Sequence, residues 1–279
     1  MTNLELIKKI LEENKSSADV FKRNAIKEYF QILVLSFIYS KKSYQNLVFY
    51  GGSCLKHCFD LPRLSEDLDF VDLKSEINLS ELADDLKLYF EKEIGLKAKT
   101  KVQKFRIYLK FPILFELGLA KKPESDFLIL KVEIFKEFGF CRDYKIEAFP
   151  IFKLGKSILI KTFDLPTLMA TKIRAILYRK WEKTDKAGKT LAKVKGRDYF
   201  DLMWYLEKKV TPNLKCIENI ENSEDLREKL LKIIDKIDSR SIKLDLESLV
   251  KDKTFADNLS NNLKEILKKR WMQIRGSLK

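Results

Sequence analysis

The sequence predicts an α+β fold in two parts: a mixed β-sheet with flanking helices over residues 1–160, then a helical bundle over 161–279. Two observations predict it. Strand-length apolar runs and strict alternations of apolar and polar residues fall between residues 45 and 160, and from Leu165 onward only helical spacing remains. A chain of 279 residues is also long enough for one large or two modest domains, each with a proper core.

Residues 3–40 read as two helices, a polar-rich first one and a second from Asp19 to Tyr39 with apolar residues at helical spacing. Gln45–Tyr50 is a strand and Ser53–Phe59 opens a helix that Leu61-Pro62-Arg63 breaks. Glu66–Asp72 is the next strand, and Leu79–Ile94 is an amphipathic helix with apolar positions at 79, 82, 86, 89 and 90. Residues 96–115 alternate as a hairpin, Leu128–Phe135 is a strand, and Ile146–Ile160 forms short strands about a turn at Leu154-Gly155. Pro166–Trp181, Lys195–Lys208, Ser223–Ile237 and Ser260–Gln273 read as helices. Between the first two of these runs a basic stretch, Arg179–Arg197, expected as a mobile loop. No internal repeat is present.

Composition narrows the function. No run of eighteen uncharged apolar residues exists, the stretch Tyr29–Tyr39 is too short to span a bilayer, and the amino terminus lacks the order of a signal peptide. A soluble, cytoplasmic protein with no membrane partner is expected. The single histidine, His57, argues against histidine acid–base or triad chemistry. Four cysteines without a second zinc-spaced pair argue against a structural zinc, and Cys54 and Cys58 read as core. The net charge of +14 favours a polyanionic partner such as nucleic acid, although a lysine-rich genome gives the same excess.

The most informative residues run from Gly51 to Phe70. Gly51, Gly52 and Ser53 stand where the strand Gln45–Tyr50 should end and a helix begin, so backbone N–H groups can approach an anion closely. Fourteen residues after Ser53 come Asp67 and Asp69, whose spacing on an extended strand projects both carboxylates from one face. Two such carboxylates repel each other unless a divalent cation lies between them. A phosphate cradle beside a paired-carboxylate metal site is the chemistry of nucleotidyl transfer. Glu133, set between Val132 and Ile134, is the candidate third carboxylate, because an acid inside an apolar strand is expensive to bury alone. Lys172 shares a helix face with Ile176 and Arg179 by i, i+4, i+7 spacing. Asp198 and Asp201, three apart, share another, with Arg197 beside them.

In combination, Gly51-Gly52-Ser53, Arg63-x-Ser65-x-Asp67-x-Asp69-Phe70, Lys172 and Arg197-Asp198-x-x-Asp201-Leu202 resemble the AbiEii-type nucleotidyltransferase toxins. These belong to the DNA polymerase β-like nucleotidyltransferase superfamily, with the MenT toxins among their relatives. The motifs occur in the family's order over about residues 30–210, and the last 70 residues match none. The resemblance implies a nucleotidyltransferase-type mixed β-sheet and a toxin of a type IV toxin–antitoxin or phage-defence pair with a cognate antitoxin. It implies Mg²⁺ (or Mn²⁺) held by Asp67 and Asp69, with Glu133 the best positional match for a third ligand often Asp in the superfamily. It further implies NTP bound by Gly51, Gly52, Ser53, Arg63, Ser65 and Lys172, with Asp198 at the catalytic centre and Asp201 and Arg197 as additional candidates. Some relatives modify the 3′ end of tRNA.

A basic surface agrees with an RNA acceptor. Lys183, Lys186, Lys189 and Lys193 are the expected phosphate contacts, ahead of the carboxy-terminal run Lys268–Arg275 with Trp271. A protein acceptor is not excluded by any sequence feature; a small cationic acceptor runs against the charge. The reading from a different class is a decayed, non-catalytic fold that binds nucleic acid or protein through its basic surface.

Overall fold

In a computed structural model of the chain, residues 2–185, 187–188 and 190–273 are described. Its backbone divides into two compact units, residues 1–138 with 146–162, and residues 139–145 with 163–279.

The first unit holds the seven-stranded mixed sheet. Its strands are β1 (Val48–Tyr50), β2 (Leu68–Val71), β3 (Lys99–Gln103), β4 (Arg106–Pro112), β5 (Phe127–Phe135), β6 (Ile146–Lys153) and β7 (Lys156–Phe163). They lie in the order β3-β4-β5-β2-β1-β7-β6. The central pairings are β1 antiparallel to β2 and β2 parallel to β5, in a register that sets Tyr50 opposite Asp69 and Asp69 opposite Glu133. Register matters here because a slip of one residue would turn both carboxylates into the core. Leu68 and Phe70, the alternate residues of β2, are fully buried and hold it in place.

Helix α2 (Asp19–Ser40) is apolar on nearly every side and is buried from Tyr29 to Leu35 without interruption. Phe30 on it packs against Phe90 and Phe111, with ring centroids 5.9 and 4.4 Å away. Such aromatic pairs add about 0.5–1.5 kcal/mol each beyond the area they bury. Helix α1 (Asn3–Glu13) opens with a capping box between Thr2 and Glu5, and α3 (Gly51–Phe59) follows β1 directly. Helix α4 (Leu79–Tyr89) is capped by Asn78 and runs into a π turn over Phe90–Ile94. Cys54 and Cys58 are buried free thiols, in keeping with how often free cysteine is buried.

The second unit carries α5 (Leu165–Tyr178), α6 (Gly196–Glu207), α7 (Ser223–Ile234), α8 (Ser239–Leu246) and α9 (Lys253–Gln273). Asp164 caps α5, with Pro166 in its first turn where the missing N–H is no loss. Helix α8 was not anticipated: at eight residues it gives too few turns for periodicity to register. Helix α9 starts at Lys253 rather than Ser260 and buries Ala256, Leu259, Leu263, Leu267 and Trp271. The basic stretch is a small antiparallel ribbon, β8 (Lys183–Thr184) with β9 (Thr190–Ala192), where a mobile loop was expected. Its end is tied down because the Lys193 N–H donates to Ser241 Oγ at 3.1 Å. Cys141 and Cys216 are bonded to each other within this unit, a pairing the sequence did not signal.

Candidate active site

In the first unit the site grows from one turn of chain. Tyr50 pairs across the sheet with Asp69, so the helix that begins at the next residue starts against that aspartate. Gly51 takes φ +78°, and a Cβ added there would overlap the Asp69 carboxylate. Both the backbone conformation and the space require glycine. A Cβ at Gly52 would lie 2.8 Å from Arg63 Nη2 and 3.0 Å from Ser65 Oγ. The N-cap residue Tyr50 contributes no side-chain cap to α3, and a helix N-terminus presents backbone donors and positive dipole to an anion.

The residues around this turn brace it. Ser53 is fully buried, and its hydroxyl donates to the Asp67 carbonyl, tying α3 to the segment that enters β2. Arg63 is buried, with Nη1 donating to the Leu64 carbonyl at 2.8 Å. Gln31, inside the apolar helix α2, donates from Nε2 to the Ser65 carbonyl at 2.8 Å. Its Oε1 lies 2.9 Å from His57 Nε2, which makes that nitrogen the proton donor. Burial, with Lys153 and Lys56 nearby, pushes the His57 imidazole down to about 3, so it stays neutral.

Asp67 and Asp69 are half-buried, alternating with core residues. Lys131 Nζ approaches Asp67 Oδ2 at 3.4 Å. Glu133 is directly opposite Asp69 but already engaged: Arg106 Nε donates to its Oε1 at 2.6 Å. The donor set is thus the hard carboxylates of Asp67 and Asp69, Asp67 with Lys131 at a longer distance, and a third, Glu133, in a close ion pair. No group of three or more histidine, cysteine or acidic side chains able to hold a metal occurs among the described residues. Two carboxylates are what magnesium uses when substrate phosphates and water complete its shell, so these residues fit that ion.

In the second unit, α5 and α6 form a buried ion cluster. Lys172 Nζ lies 2.8 Å from both Asp198 Oδ1 and Asp201 Oδ2, and the three side chains are 12%, 7% and 0% exposed. Arg179, two turns beyond Lys172 on the same face, reaches Asp198 Oδ2 at 3.0 Å. Burial alone would raise the Asp198 carboxyl, but Lys172 and Arg179 outweigh it and hold it below the ordinary 3.8. Arg197 turns to a different acid. Its guanidinium grips Asp245 of α8, and its N–H donates to Asp245 Oδ2 at 2.9 Å, so Asp245 serves as the missing cap of α6.

Of the expected phosphate contacts, Lys183 and Lys193 flank the ribbon, while Lys186 and Lys189 lie outside the described residues. The carboxy-terminal run packs through Trp271 and carries cations in ion pairs, with Lys269 and Arg270 on the surface. Lys268 pairs with Asp235 at 2.6 Å, Arg270 with Glu207 at 2.7 Å, and Trp271 is 3% exposed; Arg275 lies outside the described residues.

The mixed sheet thus sets the glycine turn at Gly51 against Asp69. The family model of the AbiEii nucleotidyl transferase toxins, of type IV toxin–antitoxin systems, matches residues 36–277, and the chain belongs to that family. Among solved structures, MenT4, a nucleotidyltransferase toxin from Mycobacterium tuberculosis, is 14% identical, with 96% of this chain and 88% of that one covered and a TM-score of 0.55. JHP933 from Helicobacter pylori is 18% identical over 90% of this chain and 96% of its own, at a TM-score of 0.48. No curated protein matches the chain. No helix among the described residues is long and apolar enough to cross a membrane.

Proposed function

We propose that this nucleotidyltransferase moves a nucleoside monophosphate from an NTP to the 3′ hydroxyl of an RNA of the tRNA kind, in the cytoplasm, and is silenced by a cognate antitoxin. The observation that carries the reaction is the register of β1 on β2, which sets the N-terminus of α3 against Asp69. Asp67 and Asp69 would hold Mg²⁺ or Mn²⁺. A divalent ion there supplies charge neutralisation for the triphosphate and lowers the pKa of a hydroxyl it binds.

The chain's own groups do the rest. Backbone amides of Gly51, Gly52 and Ser53 bind the β- and γ-phosphates, and Arg63 and Ser65 keep the turn in shape from beneath. Lys172 offsets phosphate charge, Asp198 and Asp201 hold it in place by ion pairs, and Arg197 fixes the helix that bears them. Glu133 is the reserve ligand, since it must first leave Arg106. The acceptor oxygen bonds to the α-phosphorus, the bond from that phosphorus to the β-bridging oxygen breaks, and pyrophosphate departs; the hydroxyl proton passes to solvent.

Asp67→Ala and Asp69→Ala should each abolish transfer while the protein stays folded. Labelled NTPs incubated with total RNA and lysate, then resolved on gels, read the outcome directly. Label on a protein or small molecule would move the acceptor away from RNA. Transfer near the parent level in either variant would show that the assigned site is wrong. Failure to bind any NTP with Mg²⁺ by calorimetry would support the non-catalytic reading.

A further inference from the structure

The basic segment after α5 lines an open surface cavity whose indole, Trp181, none of the roles above uses. It has a volume of about 540 Å³ and is lined by Arg179, Lys180, Trp181, Glu182 and Lys193. Lys195 Nζ stands 5.8 Å from the Trp181 ring centroid, adding a fourth cation against one carboxylate. That carboxylate, Glu182, is occupied by the Thr190 hydroxyl at 2.5 Å. The cations crowd one another: burial, with Arg179 and Arg197 beside it, pushes the Lys195 ammonium below its ordinary value. Trp181 is only half-buried, whereas Trp204 and Trp271 are 6% and 3% exposed. The walls are fixed by the ribbon pairing and by the Lys193 bond to Ser241. Arg179 is shared between this wall and Asp198, so the cavity adjoins the Lys172 cluster.

A flat ring among several cations suits a ligand that has both a π face and a phosphate. An acidic peptide would be served by cations alone, and a bare anion would make no use of the indole. We infer that Trp181 is the stacking platform for an unpaired nucleotide of a single-stranded RNA end, with Lys180, Lys193 and Lys195 on its phosphates. The inference rests on the proposed reaction only in naming that strand as the acceptor.

Binding is therefore measured apart from transfer. One fluorescein-labelled RNA hairpin has a four-nucleotide single-stranded 3′ overhang, a second is blunt, and anisotropy gives both affinities across a salt series. Stacking is worth about 1–3 kcal/mol per base, so Trp181→Leu should bind the overhang RNA roughly tenfold more weakly. The blunt hairpin, NTP affinity by calorimetry and the melting temperature should be unchanged, and Trp181→Phe should retain most of the affinity. Lys180→Gln with Lys193→Gln should lower the slope of log K against log salt by about 1.4, two single-strand phosphate contacts at about 0.7 each. In the parent, overhang RNA should quench the emission of the half-buried tryptophan, and Trp181→Phe should remove that quenching.

Unaltered overhang affinity in Trp181→Leu overturns the inference, as does an equal loss on the blunt hairpin. A loss of NTP affinity instead would make the cavity the donor's site and overturn it too. An enzyme that transfers nothing to RNA yet shows the Trp181-dependent overhang preference would retain this site while losing the proposed reaction.

Discussion

Replacing Lys172 by methionine removes one ammonium from between two carboxylates and leaves nearly the same volume. Each carboxylate lies 2.8 Å from the nitrogen, which at an effective dielectric near 20 corresponds to about 6 kcal/mol of attraction per pair. Desolvation of the three ions costs several kcal/mol apiece and consumes most of that sum. The net effect is dominated by what remains: two buried carboxylates that have lost the ammonium shared between them, with Arg179 still on Asp198. Breaking a buried pair from one side costs about 3–5 kcal/mol, or about 6–20 °C in melting temperature. Lys243→Met is the control. Its ion pair with Asp257 has the same 2.8 Å separation, but the two side chains are 45% and 47% exposed, and pairs of that kind seldom register in stability. Calorimetric melts of parent and both variants at pH 7 give the comparison. Asp198 adds a pH signature: with its carboxyl held below 3.8, its stabilisation is present above that pH and lost as pH falls below it. In Lys172→Met the carboxyl rises, so acid loss should begin at a higher pH. Equal, small shifts in the two variants would refute the burial argument.

Three further outcomes follow from the geometry. Gly51→Ala should cut transfer severely while leaving the far-UV spectrum intact, since the new methyl meets the Asp69 carboxylate at positive φ; steady-state kinetics with NTP would read this. Glu133→Gln should reduce transfer far less than Asp69→Asn, because Glu133 is held by Arg106; matched losses in the two variants would make Glu133 a working ligand. His57 falls from 6.5 to about 3 on folding, so it contributes stability that is full above pH 6.5 and declines as pH drops toward 3, by up to about 1.4 kcal/mol per pH unit. With one histidine in the chain, His57→Phe should flatten urea-derived stability between pH 5 and 6.5.

The sheet and the aspartate pair were legible because period-two alternation is a local signal. Leu68 and Phe70 turn inward, Asp67 and Asp69 turn outward, and no distant residue is needed to say so. The same signal extends to Lys131 and Glu133 on β5, which alternate with buried Leu130, Val132 and Ile134. Their partners depend on strand order, however, and strand order is set by long-range pairing. That is why Arg106 on Glu133 was not foreseen. Lys172, Arg179, Asp198 and Asp201 were found through helical spacing, but not which acid each base would choose. Arg197 shows the limit: beside Asp198 in sequence, it turns to Asp245, 48 residues on. Gln31 offered a clue not taken up, one amide in the apolar run Phe30–Leu35. The paired Cys141 and Cys216, 75 residues apart, carried no local mark at all.

The cap that Asp245 lends to α6 decides where this chain can be shortened. All the motif residues lie before residue 210, which invites a fragment ending there. Such a fragment would leave the α6 amide at Arg197 and its guanidinium without Asp245, and expose the backbone face at Gly196, where an added Cβ would come within 2.7 Å of Ile242. The carboxy-terminal quarter, silent in motifs, is the mould in which the Asp198 helix is set.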